Sequence, residues 1–310
     1  MSSFFLAAKS MLPLFLIILT GIGMVRFKAV HWNWIDVLNK YALWIGLPSL
    51  IFVALLRLDF RFGEYSSLIF SNSIYIIGCT LLAFPLSFIF KTSLKTKRSL
   101  FLLLAFGNIS YLGIPLIANS LGTEALSSAI ILSAVYPFWM FTLAIVLIEL
   151  TGHDKVHIFL IIKRLVTNPL LVSVIFGILA SFFKIPIQST LIKTLELFGQ
   201  SVTAVVLFSL GIFLGSQQIG SRKEWWPVIV LSVVTMIILP GVFFLLAKES
   251  AMTNIQFRTS ILDAAMPMGL TAYAMTEQYQ LNALLTGRLV ILSTVLAAII
   301  LPFWIVITAP

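Results

Sequence analysis

Apolar residues run through this chain in long stretches separated by short polar clusters, with neither the strict alternation of strands nor the one-sided period of soluble helices. A bilayer needs about 20 apolar residues per helix. On that scale the pattern predicts ten spanning helices, near 9–26, 41–57, 68–90, 99–121, 125–148, 166–183, 196–215, 226–247, 258–278 and 284–308. Two of these stretches carry interruptions deep inside them. In the fourth, Gly107-Asn108-Ile109-Ser110-Tyr111-Leu112-Gly113-Ile114-Pro115 places polar residues, glycine and proline mid-span; in the ninth, Asp263-Ala264-Ala265-Met266-Pro267-Met268-Gly269-Leu270-Thr271 does the same. Proline inside a helix costs about 3 kcal/mol and frees a carbonyl. In hydrocarbon such a break survives only where protein or a water-lined cavity satisfies the loose backbone groups. Paired breaks in two half-chains point to a binding site near the bilayer midplane.

The halves echo each other. Pro13-Leu14 with Gly21 recurs as Pro169-Leu170 with Gly177, Pro85 as Pro240, and Pro115 as Pro267, at offsets of 152 to 156 residues. Five spans is an odd number, so the second copy must be inverted in the membrane, a common build for secondary transporters. The expected organisation is a first five-helix repeat over 1–150, an amphipathic interfacial linker over 151–166 and a second five-helix repeat over 167–310.

Composition agrees with a membrane protein. The chain of 310 residues is 60% hydrophobic and 10% charged, with a net charge of +9, and its mean hydropathy is +1.09. The bases flank spans, so they read as topology signals and contacts with anionic lipid, not as a nucleic-acid surface. Lys91, Lys95, Lys97 and Arg98 form the densest cluster, and loops after odd-numbered spans carry the excess. Positive-inside logic makes those loops cytoplasmic and places both termini outside. The N-terminal stretch continues through Gly21–Val25 and reads as a first helix, not a cleaved signal. The single cysteine, Cys79, can form no internal disulfide, and all three histidines fall in connecting segments. Neither a Walker A pattern nor a His-Glu-x-x-His or Gly-x-Ser-x-Gly motif occurs. An enzyme is not expected, and transport would run on gradients. A channel or receptor is the alternative from a different class.

At these residues the chain resembles the auxin efflux carrier family, which includes plant PIN-type auxin carriers and bacterial malonate-type permeases. The likeness rests on Gly107-Asn108 followed by Gly113-Ile114-Pro115-Leu116, on Ala264-Ala265-Met266-Pro267 and on Leu47-Pro48. It covers essentially the whole chain. The long hydrophilic loop of plant PIN carriers is absent, which points to a bacterial-type member in the inner membrane. The resemblance implies an all-α polytopic fold in which the fourth and ninth helices break and cross, as in bile acid:sodium symporters and sodium/proton antiporters. It also implies a small organic carboxylate as substrate, alternating access, and a homodimer. A sodium-coupled symporter of bile-acid type is the nearest alternative.

The residues themselves suggest where the chemistry lies. Helix N-termini exposed at a break offer N–H groups and positive dipole to a carboxylate. Asn108 can donate to such a group, a role the resemblance also implies, or can bond a neighbouring helix. Ser110, Tyr111, Thr271 and Tyr273 lie beside the interruptions. Gly113, Pro115 and Pro267 are expected to form the breaks. Gln200 and Thr203 add a polar patch early in the seventh span, and Tyr136 stands beside Pro137 in the fifth. Asp263 is the acidic residue well inside a predicted span; ionised it could hold Na+, and otherwise it could take and release H+. No other cofactor and no metal is expected.

Overall fold

A computed structural model describes residues 2–57, 63–152, 158–217 and 222–309. Arg61, in a predicted loop, and residues 153–157 of the predicted linker, with His153, Lys155 and His157, lie outside the described residues. Within the described residues the chain is helical throughout. Its helices are α1 (Ser2–Arg26), α2 (Trp34–Leu56), α3 (Ser66–Ile89), α4 (Leu94–Leu103), α5 (Ile109–Leu121), α6 (Thr123–Thr151), α7 (Ile158–Val166), α8 (Pro169–Phe182), α9 (Ser189–Ser216), α10 (Trp226–Ala247), α11 (Asn254–Ala264), α12 (Leu270–Gln278) and α13 (Ala283–Ile307). Six of them, α2, α3, α6, α9, α10 and α13, are long and apolar enough to cross a membrane, and shorter apolar helices include α5 and α8. Large apolar side chains such as Phe70, Phe88, Trp226 and Leu246 stand exposed, as a lipid-facing surface requires.

Prolines shape several helices in one recurring way. Wide π-helical turns span Ala42–Gly46, Ile109–Gly113 and Val234–Ile238, and each ends two residues before a proline: Pro48, Pro115 and Pro240. Proline has no N–H and its ring crowds the carbonyl one turn back. Widening that turn relieves the clash and lets the helix continue. Pro115 therefore does not break its helix. It sits in the first turn of the regular helix Ile114–Leu121, where the missing N–H costs little. The expectation that Gly113 and Pro115 form the break is corrected: the chain leaves helical geometry earlier, between α4 and α5.

Both interrupted segments are tied to their neighbours by side chains. A capping box of Thr253 and Gln256 starts α11, and Gln256 Nε2 also donates to the Glu64 carbonyl at 3.0 Å. Asn72 of α3 donates to Ser260 of α11 at 2.8 Å. Beyond α12, the Asn282 N–H donates to Ser99 of α4 at 3.0 Å and its amide to Thr96 at 3.1 Å.

The closest helix approach is between α1 and α9. Gly211-x-x-x-Gly215 of α9 faces Gly21 and Ile22 of α1. A Cβ on Gly21 would run into the Phe208 carbonyl oxygen, and one on Gly211 into that of Ile18. Small residues at this spacing let backbones touch where lipid supplies no hydrophobic drive for helix association. Gly211→Leu should lower the thermal unfolding midpoint in detergent, with a loss of about 1–3 kcal/mol or more from overpacking. Gly23→Ala, whose Cβ would meet only the tip of Phe27 at 4.0 Å, should leave the midpoint unchanged.

Candidate functional site

The two interruptions meet. The first runs from Leu104 to Asn108, between α4 and α5; the second from Ala265 to Gly269, between α11 and α12. Gly107 and Met268 pair as an isolated antiparallel bridge, and the Asn108 N–H donates to the Pro267 carbonyl at 2.7 Å. The Met268 N–H donates to Ser293 of α13 at 2.9 Å. Backbone groups released by each break are thus taken up by the other break and by a neighbouring hydroxyl. The approach demands glycine. A Cβ on Gly107 would stand 2.9 Å from the Met266 carbonyl oxygen, and one on Gly269 would stand 3.2 Å from Cα of Asn108.

Asn108 sits at the junction, 4% exposed. Its carbonyl accepts from Leu112 at 3.1 Å and Gly113 at 2.9 Å, but its side-chain Nδ2 has no partner. A buried amide donor without a partner costs about 1–3 kcal/mol, so the position invites a ligand. Directly beside the junction is a cavity of about 1050 Å³. Asn108, Ser110, Tyr111, Thr271 and Tyr273 line it, together with Tyr136, Asn39 and Gln217. Its apolar wall includes Phe106, Leu170 and Phe213, the last edge-on to Tyr273 with ring centroids 5.1 Å apart. Lys28, His31, Asp36 and Lys40 stand at the end formed by the loop after α1 and the start of α2, and Lys40 pairs with Asp36 at 2.7 Å. The first turns of α5 and α12 both border the cavity, and their leading N–H groups lack helical acceptors.

The remaining sequence candidates fall elsewhere. Gly113 and Pro115 are buried behind the junction and do not line the cavity. Pro267 contributes its carbonyl to the junction, not a cavity wall. Gln200 lines a separate pocket of about 460 Å³, and half-buried Thr203 lines neither space.

Asp263, in the last turn of α11, is 1% exposed. Neither of its carboxylate oxygens has a hydrogen-bond partner. It does not border the large cavity. It lies instead against Gly113, on which a Cβ would stand 2.9 Å from Oδ1. Tyr136 bridges the two regions: it lines the cavity, interacts electrostatically with Asp263, and its hydroxyl has no hydrogen-bond partner. No cluster of three or more His, Cys, Asp or Glu side chains that could hold a metal occurs among the described residues. Asn39, Gln217 and Phe213 were missed by sequence reasoning. They lie at span ends in sequence and reach the cavity only through packing.

Gly107→Val should disrupt the junction without removing any polar group. The expected outcome is a loss of about 1–3 kcal/mol, read as a lowered unfolding midpoint in detergent, while Gly78→Ala, at a site with open space around it, should match the parent.

Comparison with known proteins identifies the family. An uncharacterized transporter of Methanocaldococcus jannaschii is 22% identical over 93% of this chain and 94% of its own length. Another from Methanothermobacter thermautotrophicus is 25% identical over 87% and 88%. A Rhizobium meliloti protein whose name provisionally assigns it to malonate transport is 23% identical over 86% and 85%. Residues 6–305 match the family described as membrane transport protein. The chain belongs to that family of integral membrane transporters, the auxin efflux carrier family that its Gly-Asn and Ala-Met-Pro motifs resemble.

Proposed function

We propose that this chain is a secondary transporter of a small organic anion across the inner membrane, with the junction as its binding site. The observation that carries the reading is the unpartnered Asn108 amide, held between two interrupted helices at the inner end of a large cavity. In this reading α4–α5 and α11–α12 are the broken, crossing fourth and ninth of ten spans, arranged as inverted repeats over 1–150 and 167–310. The first turns of α5 and α12 direct N–H groups and positive dipole toward a carboxylate, while Asn108, Ser110, Tyr111 and Thr271 supply neutral donors. The cavity lies at the ends of helices that charge bias assigns to the cytoplasmic side, so the described state is open inward.

The wall also bears on the substrate. Two lysines line the cavity: Lys28, which follows α1, and Lys40, which is paired with Asp36. A carboxylate at the junction would be held by neutral donors. Aromatic and aliphatic walls suit an apolar body. The arrangement supports a carboxylate with an apolar portion. Asp263 is the candidate coupling group, because a sealed carboxylate without hydrogen bonds requires a cation or a proton to neutralise it.

Purified protein should be stabilised by its substrate by mass action, so organic acids screened by thermal shift at two pH values, with and without sodium, identify both ligand and coupling ion. Asn108→Ala should cut flux of that acid in proteoliposomes at least about tenfold, the equivalent of one charge-assisted hydrogen bond; unchanged flux would remove the junction as the binding site. Asp263→Asn should abolish the response to whichever gradient, sodium or proton, drives the parent. Retained coupling would exclude Asp263 from it.

A further inference from the structure

The second pocket stands on the same three helices as the first, at their other ends. The large cavity takes Ile35 to Leu43 of α2, Tyr136 to Phe141 of α6, and Phe213 to Gln217 of α9. The pocket of about 460 Å³ takes Leu50 to Arg57 of α2, Thr123 to Ser127 of α6, and Glu196 to Gln200 of α9. At 1.5 Å per residue the intervening helix lengths are roughly 10–20 Å. Tight packing fills that interval. Tyr41 and Ser201 share a hydrogen bond of 2.7 Å between α2 and α9, Gly46 lies against Val202, and Ala129, Ile130, Leu132 and Ser133 of α6 are fully buried.

The pocket is markedly polar for a space between membrane helices. Arg57, Thr123, Ser127, Glu196 and Gln200 make up half of its lining. Arg57 and Glu196 form an ion pair from the end of α2 to the start of α9. The Arg57 side chain is 67% exposed and that of Glu196 27%, so the guanidinium remains open on one side. A guanidinium has five donors, enough to keep Glu196 and take a second carboxylate. Ionisable residues that face a cavity between membrane helices are the kind that lines substrate and ion paths.

We propose that this pocket is the far mouth of the same transport path, where Arg57 receives the substrate carboxylate with help from Gln200. This rests on the transporter reading above. In the described state the near mouth is open and the far one is contracted. Separation of α6 from α2 and α9 at their far ends would widen it and close the near side.

A single-cysteine protein tests this. Ala54→Cys in a Cys79→Ser background puts a thiol in the pocket without removing a hydrogen bond, and a bulky membrane-impermeant maleimide then fills it. Labelling should reduce flux of the carboxylate found in the thermal-shift screen at least tenfold, while that acid still stabilises the labelled protein through the near cavity. Labelled protein that transports at the unlabelled rate, or that loses stabilisation along with flux, would overturn the proposal. Arg57→Gln should raise the half-saturating concentration about tenfold for substrate offered on the far face of oriented vesicles. From the near face it should change by less than twofold, and Arg57→Lys should recover part of the loss. An equal effect on both faces, or none on either, would remove Arg57 from the role. If no acid stabilises or crosses with the unlabelled parent, the transporter reading itself fails, and this inference falls with it.

Discussion

The hydrogen bond from the Asn108 N–H to the Pro267 carbonyl is the interaction on which the centre of this protein depends. Two helices that stop inside an apolar bundle leave N–H and C=O groups that lipid cannot satisfy, each costing several kcal/mol. Here each break completes the other, helped by the Gly107–Met268 bridge and the Ser293 hydroxyl. Neither interruption could persist alone. The same pairing brings the starts of α5 and α12 to one cavity, because the residues that follow the bonded strands are the first turns of those helices. Closure of the breaks and the wall of the cavity therefore arise from one arrangement of backbone.

That arrangement requires glycines at the contact, bulk around it and stiff supports behind it. Gly107 and Gly269 allow main chain to approach main chain. Asn72, Gln256 and Asn282 hold α11 and the entrance to α13 against α3 and α4 through side-chain hydrogen bonds. On the opposite flank, the glycine contact of α1 with α9 needs no polar group at all. The molecule thus uses polar ties around the interrupted helices and close steric fit elsewhere. The π-helical turns ahead of Pro48, Pro115 and Pro240 absorb each proline without ending the helix, and at Pro240 the Met236 carbonyl one turn back accepts from Trp304 Nε1 at 2.9 Å.

Much of this was legible in the chain because hydrocarbon is an unforgiving solvent. Membrane character, helical class and the two interrupted segments follow from length, apolarity and the positions of Gly and Pro. The exact place of the first break did not follow. Proline is the loudest signal in Gly107–Pro115, yet Pro115 is absorbed in the first turn of a regular helix, and the chain actually opens at the quieter Leu104–Asn108. Sequence cannot weigh a proline that a wide turn can accommodate against a glycine whose partner is some 160 residues away. Asn108, Ser110, Tyr111 and Thr271 were nameable because they adjoin the interruptions. Gln217 and Asn39 were not, since their place on the cavity comes from the packing of α2 and α9. Gln200 illustrates the reverse: a polar patch was visible, but not which end of the bundle it would serve.

Asp263 stands outside the cavity, yet main chain links it to Asn108. The backbone supplies a closed circuit. The Asp263 carbonyl accepts from the Met266 N–H at 3.2 Å, and Pro267, next in the chain, accepts from Asn108 at 2.7 Å. The Asn108 carbonyl accepts from Gly113 at 2.9 Å, and Gly113 packs on Oδ1 of Asp263. In the function proposed above, a cation or proton at that oxygen would change what Gly113 faces, and Gly113 is bonded to the Asn108 carbonyl. Coupling of the kind proposed above would then need no direct contact between ion and substrate. It would need only that the packed loop have two arrangements, one for each state of the acid. Glycine at 113 lets the acid and the main chain touch, since a Cβ there would stand 2.9 Å from Oδ1 of Asp263 and press on the carboxylate.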